Sequence, residues 1–444
     1  MFSAVFDERL CQEKYPPPLL FVLFGATGNL AEKKIFPALE ALAENRLFHP
    51  QSRIIAVSRR GMDIAKISRF AASRTDVVKF DPEKQETARE LIRHLDKYDK
   101  NMGRIYYLAV PPSAFRSIVS VLAAEHLFDE SSGRAFRNLV LEKPPGYDLE
   151  DLRSIRQMLS EYLKPSQLYL IDHYLGKDEI QNIMTLRFAN RIFSGAWNSQ
   201  NIESITVAVS EKSDISGRAE YFDRAGIIRD MFQSHLLIML GLCIMDMPEK
   251  FDAAHINSSL ASALSGVQTE KINFAGQYRG YRMTPGVPPD SLTLTCADIM
   301  FSSSRWQNTR FRLFSGKAMK NESSFISIKF RSGTFPLGST PFSVPGNAVE
   351  LELKPQPGIK IVLCSKKSGP HLCFGTLTLK STLDSGIPSN GYHRLLLDCQ
   401  NCDRTLFPDF SVFEQTGKIC GLAEELVSAE RVAIYSGEIL DFSP

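Results

Sequence analysis

The chain has almost no net charge: 52 Lys and Arg stand against 50 Asp and Glu, which leaves +2. So even a balance gives no chain-wide field to draw in nucleic acid or a membrane surface, and any anion must be held by a few placed cations. Long apolar runs are also lacking. The longest, residues 236–245, is about half of the ~20 residues needed to cross a bilayer, so no membrane span is expected. Residues 1–15 mix acids and bases without an apolar centre, unlike a secretory signal. Eight cysteines among 444 residues do not make a disulfide framework, and a reduced, cytoplasmic protein fits that count. Cys399 and Cys402 form a lone Cys-x-x-Cys with no second pair or His pair beside it, so packing is its expected role and no metal is expected. Repeats and low-complexity tracts are lacking too.

What is present is the mixture of an ordinary globular chain, 43% apolar and 23% charged, long enough for two or three domains. Structure is expected to begin after Pro16-Pro17-Pro18, with a continuous apolar run over 19–24 that reads as a buried parallel strand. Gly25-Ala26-Thr27-Gly28-Asn29-Leu30 follows, and then a helical pattern over 31–47. Further apolar strands at 54–57, 105–110 and 138–141 alternate with helical stretches, the signature of a parallel sheet with right-handed crossovers. Beyond about residue 200, six segments from 202–209 to 376–379 alternate apolar with polar residues, as antiparallel strands with one wet face do. A helix is expected over 227–245, with Ser234 four residues after Asp230 on a shared face and His235 beside it. Ser302-Ser303-Ser304 and residues 333–346 read as loops.

Between a buried strand and a helix, the Gly-x-x-Gly turn is placed for a dinucleotide: glycine lets the backbone approach a pyrophosphate and the helix start offers free amides. Where NAD sites put a carboxylate, after the second strand, this chain has Arg59 and Arg60, which favours the 2′-phosphate of NADP. The densest polar stretch is Asp172-His173-Tyr174-Leu175-Gly176-Lys177, a set able to hold a phosphate and orient a second base. Glu211, Arg218, Asp230, His235 and Lys317 are further candidates; each alone would read as a surface charge or a satisfied core histidine.

Taken together, Gly25 to Ala31 with Lys33-Lys34, Glu142-Lys143-Pro144, the Asp172 to Lys177 segment, Tyr221-Phe222-Asp223, Gly226-Ile227-Ile228-Arg229-Asp230 and Ser315-Gly316-Lys317-Ala318 resemble the glucose-6-phosphate dehydrogenase family, in the family order. The resemblance implies a Rossmann-like α/β dinucleotide-binding domain over 17–171. An α+β domain over 172–444 would carry a large, mainly antiparallel sheet for substrate binding and dimerisation. It implies NADP-dependent oxidation of glucose 6-phosphate at C1 to the lactone, the first step of the oxidative pentose phosphate pathway, by a homodimer or homotetramer. His235 would be the general base, oriented by Asp172. His173, Tyr174 and Lys177 would bind the phosphate, Glu211, Asp230 and Lys317 the sugar, Lys143 both substrate and cofactor, and Gly25, Ala26, Thr27, Gly28, Asn29, Leu30 and Arg59 the cofactor. Pro144 would be the family's hinge-region proline.

The chain departs from the family pattern at Asn29 (family Asp), Leu170 (Arg), Ser234 (Asn), Glu322 (a basic residue) and Lys354 (Gln before Pro). The second, structural NADP site of animal enzymes is not expected. A divergent sugar or sugar-phosphate dehydrogenase on the same fold and a catalytically weak binding or regulatory paralogue stay open as alternatives.

Overall fold

Leu19–Phe24 (β1) is apolar and buried at every position, so it must run inside a sheet covered on both faces. The computed structural model describes residues 15–63, 67–130, 135–143, 146, 148–337, 340–382, 391–428 and 432–437; Pro144 lies outside them. After β1 come Arg53–Ser58 (β2), Thr75–Lys79 (β3), Gly103–Leu108 (β4), Arg137–Glu142 (β5) and Leu168–Ile171 (β6), in the order β3-β2-β1-β4-β5-β6. Every neighbouring pair is parallel. This doubly wound order turns back between β1 and β4, and ligands bind outside the carboxyl ends of such strands. The expected Rossmann-like sheet is therefore present, with β3 as an additional edge strand.

The second sheet has nine strands. Ile202–Ser210 (β7), Val267–Tyr278 (β8), Cys296–Ser303 (β9), Arg310–Gly316 (β10) and Ser323–Phe330 (β11) form its centre. Gly333–Leu337 (β12) and Thr340–Val344 (β13) pair as a separate hairpin where a loop was expected. Ala348–Lys354 (β14), Gly358–Lys366 (β15), Phe374–Thr382 (β16) and Ala433–Tyr435 (β17) complete the order β16-β15-β14-β11-β7-β10-β9-β8-β17. Two pairs, β7 with β10 and β8 with β17, are parallel and the rest antiparallel, so the sheet is mixed. Ser302 and Ser303, read as loop, end β9, Ser302 partly exposed and Ser303 buried: small polar residues fit either face without breaking the ladder.

The expected helix over 227–245 is part of a longer run. Helix Ala219–Ile227 is kinked at Gly226 (φ 63, ψ 174), continues as a wide π-wound stretch, Ile228–Leu236, and then as the α-helix Leu237–Ile244. The whole run Ala219–Ile244 has the length and apolarity of a membrane span, yet 94% of its most apolar window is buried inside the protein, as in a core helix.

By packing, the described residues divide into two units that interleave along the chain, where one break before Asp172 was expected. One comprises Met1–Pro145, Ile155–Gly176 and Ser389–Phe407, and the other Gly146–Ser154, Lys177–Pro388 and Pro408–Pro444. The physical reason for the return is apolar: helix Tyr392–Gln400 buries Leu395, Leu396 and Cys399, packs on helix Phe36–Glu44, and is followed by Phe407, whose ring meets Tyr169 of β6 edge-on at 4.9 Å.

Candidate active site

Each unit carries its own set of candidate side chains. In the first, the chain leaves β1 through Gly25 (φ +77), where a Cβ would lie 2.2 Å from the Ala109 carbonyl oxygen, so only glycine fits. The amides of Gly25 and Ala26 both donate to the Val57 carbonyl at 3.0 and 3.2 Å, which ties the turn to the end of β2. Thr27 and Asn29 are exposed there, and the helix that follows starts at Asn29 and runs into a π-wound stretch, Ala31–Ile35. A cleft of about 690 Å³ opens at the carboxyl ends of these strands, lined by Gly25, Thr27, Gly28, Ser58, Arg59 and Arg60 among others. Turn, helix start and cations thus meet at one cleft, which fits a dinucleotide.

At the end of β6 Asp172 is fully buried. Its Oδ1 accepts the Tyr174 amide at 2.9 Å and its carbonyl the Leu175 amide at 3.0 Å, a tight turn that sets His173 and Tyr174 side by side with ring centroids 4.8 Å apart. Gly176 and Gly391 lock this turn against helix Tyr392–Gln400: a Cβ on Gly176 would lie 2.0 Å from the Gly391 carbonyl oxygen, and one on Gly391 2.0 Å from that of His173. The imidazole of His173 stacks on the Tyr392 ring, 5.8 Å between centroids and 3° from parallel. Tyr392 in turn donates its hydroxyl to Glu142 Oε1 at 3.3 Å, as Tyr107 also does. Glu142, next to Lys143, is held above the usual carboxylate range by burial, against the opposing pull of the Tyr107 hydrogen bond and the Lys143 charge.

In the second unit the centre is Lys317, 2% exposed at the end of β10. Its ammonium donates to the Glu211 carboxylate and lies 3.1 Å from Asp230 Oδ2; Arg218 approaches the same Asp230 oxygen at 3.8 Å. Burial alone would push the Lys317 ammonium down, but Asp230 and Glu211 outweigh it and hold its pKa above the ordinary lysine value. His235 is fully buried on the π-wound stretch. On this stretch Ser234 Oγ donates to the Arg229 carbonyl, five residues back, at 3.2 Å. Lys177 opens helix Asp178–Ala189, its carbonyl accepting the Ile180 amide at 3.1 Å.

The departures from the family pattern are absorbed locally. Leu170 is buried in β6, where an arginine would need a partner. Lys354 and Glu322, each unusual alone, pair with one another at 2.6 Å. Glu142, Tyr107 and Tyr392 were not assigned roles from sequence; the pair of hydroxyls, Tyr106 and Tyr107, in the buried β4 was the available signal for Tyr107, and none existed for Tyr392.

A profile for the glucose-6-phosphate dehydrogenase NAD-binding domain matches residues 22–182, and one for the C-terminal domain of the same family matches residues 184–438. The chain belongs to the glucose-6-phosphate dehydrogenase family. Glucose-6-phosphate 1-dehydrogenase of Chlamydia pneumoniae is 29% identical over 441 residues, 88% of this chain and 86% of that protein. The same enzyme of Treponema pallidum is 30% identical over 447 residues, covering 88% and 85%. Among solved structures, a glucose-6-phosphate dehydrogenase in complex with glucose 6-phosphate superposes with a TM-score of 0.86 at 26% identity, covering 97% of each chain. The Mycobacterium avium enzyme gives 0.81 at 28%, covering 95% and 94%. Members of this family are oxidoreductases, and the NAD-binding domain supports a nicotinamide cofactor in this chain.

Proposed function

We propose that the protein oxidises glucose 6-phosphate at C1 to 6-phosphogluconolactone with NADP as acceptor. What supports the reading is the presence, in a chain that matches both family domains, of three sets of ligand-type side chains: the glycine turn with Arg59 at the cofactor cleft, the Asp172–Lys177 segment, and Lys317 with its two carboxylates. In this reading His235 takes the C1 hydroxyl proton while Asp172 fixes the tautomer of its imidazole and steadies the imidazolium. His173, Tyr174 and Lys177 hold the substrate phosphate. Glu211 and Asp230 accept sugar hydroxyls, with the Lys317 ammonium between them holding both carboxylates in place. Lys143 positions substrate and cofactor. The nicotinamide, when bound, accepts the hydride.

We infer in addition a cytoplasmic homodimer. The outer strands β15 and β16 support it, since Leu377 and Leu379 are 46% and 49% exposed there, more apolar surface than a lone sheet edge normally shows.

Initial rates on glucose 6-phosphate, glucose and galactose 6-phosphate, each with NADP and NAD, test the reading. Preference for glucose 6-phosphate with NADP is expected. Equal rates on all three sugars would favour a broader sugar dehydrogenase, and no turnover above a His235→Ala control would leave only a binding role.

A further inference from the structure

Strand β3 ends on Lys79, whose partner across the ladder is Ser58, the last residue of β2. Arg59 and Arg60 follow Ser58, and Gly61 (φ +80) turns the chain away. The Lys79 side chain lies along that turn: its Cε stands 3.2 Å from the place where a Cβ on Gly61 would be. A side chain at 61 would crowd the lysine, and glycine leaves it room. Lys79 therefore sits at the edge of the cofactor cleft, beside the lining residues Ser58 and Phe80 and next to the arginines.

All three cations are exposed, and among the described residues none of them has a carboxylate partner. Asp81 and Glu83 line the same cleft, Asp81 with its Oδ1 accepting the Glu83 amide at 3.3 Å within their own turn, and among the described residues neither carboxylate pairs with one of the three cations. Like charges gathered without a directly paired carboxylate repel one another, an arrangement that a multiply charged anion relieves. The 2′-phosphate of NADP has several acceptor oxygens and is such an anion. NAD offers only a hydroxyl there.

We propose that Lys79 is a third ligand of the NADP 2′-phosphate, and so a specificity-determining residue alongside Arg59 and Arg60. This rests on the NADP reading given above. It places the discrimination on two strands, so that β3 reads the cofactor as well as β2.

Calorimetric titration of the full chain with adenosine 2′,5′-bisphosphate and with AMP tests it without any turnover. The wild type is expected to bind the bisphosphate at least tenfold more tightly than AMP. Lys79→Gln should lower bisphosphate affinity by about tenfold and leave AMP unchanged, as expected for one charge-assisted contact, whereas Lys79→Arg should keep most of it. An unchanged bisphosphate-to-AMP ratio in Lys79→Gln, or equal losses on both probes, overturns the role of Lys79 while leaving the NADP reading intact. A wild type that binds both probes alike overturns the NADP reading itself, and the role of Lys79 with it.

Discussion

The two units hold positive charge in opposite ways. In the first, Arg59, Arg60 and Lys79 stand exposed and without carboxylate partners among the described residues. In the second, Lys317 is buried and already matched by Asp230 and Glu211. Exposed cations cost little to keep and gain their partner only when an anion arrives. A buried ammonium must be compensated before any ligand comes, because taking it out of water unpaired is expensive. The first arrangement is built for a group that comes and goes, and the second fixes a geometry.

Lys317→Met should break the comparison most sharply. It leaves the buried Asp230 and the partly buried Glu211 without the lysine, with only Arg218 still 3.8 Å from Asp230, and about 3–5 kcal/mol of stability should be lost, read as a lower urea midpoint. Adding Asp230→Asn and Glu211→Gln should restore most of that loss without restoring activity. If the single variant unfolds like the wild type, the cluster is not prepaid in the way described.

Asp398 is an intermediate case in the first unit: a buried carboxylate whose Arg394 partner is 48% exposed. Burial pushes its pKa up to about 7, more than Arg394 pulls it down. A carboxyl with a raised folded-state pKa binds more protons when folded, so stability should fall as pH rises from about 4 to about 7, by on the order of 4 kcal/mol. Asp398→Asn should flatten that part of the stability profile; an unchanged profile would place the titration elsewhere.

Arg59→Gln should lower the NADP-over-NAD preference in kcat/KM by at least about tenfold while moving the urea midpoint by no more than a surface change does, about 0.5 kcal/mol. Smaller still, Tyr392→Phe keeps the stack on His173 and removes only the hydroxyl on Glu142. Its KM for glucose 6-phosphate should stay within about twofold while kcat falls several-fold, about 1 kcal/mol for one hydrogen bond. A rise in KM alone would show that the hydroxyl serves the phosphate side instead.

Strands buried on both faces were legible because of their apolar centres: β1 is apolar throughout, and β2, β4 and β5 carry the unbroken apolar stretches 54–57, 105–108 and 139–141. β3 was not, since an edge strand keeps Asp76 and Lys79 among its five residues. β15 was hidden by its half-exposed, evenly mixed pattern. The candidate residues of the Asp172 segment and Lys317 could be named from sequence, but what holds them could not. Gly176 and Gly391 are meaningful only because their backbones touch, and the pairing of Glu322 with Lys354 becomes visible only once β11 and β14 are neighbours. The π-winding around His235 also escaped the 3.6-residue pattern, which pairs residues three and four apart rather than five.

The return of Ser389–Phe407 to the first unit sets an order on biosynthesis. A ribosome that has finished β6 has made every strand of the parallel sheet, yet the helix that covers Phe36–Glu44 and the ring that meets Tyr169 are still more than two hundred codons away, by the numbering of Ile171 and Tyr392. Until that segment emerges, the nascent sheet carries an uncovered apolar flank, the kind of surface that chaperones bind.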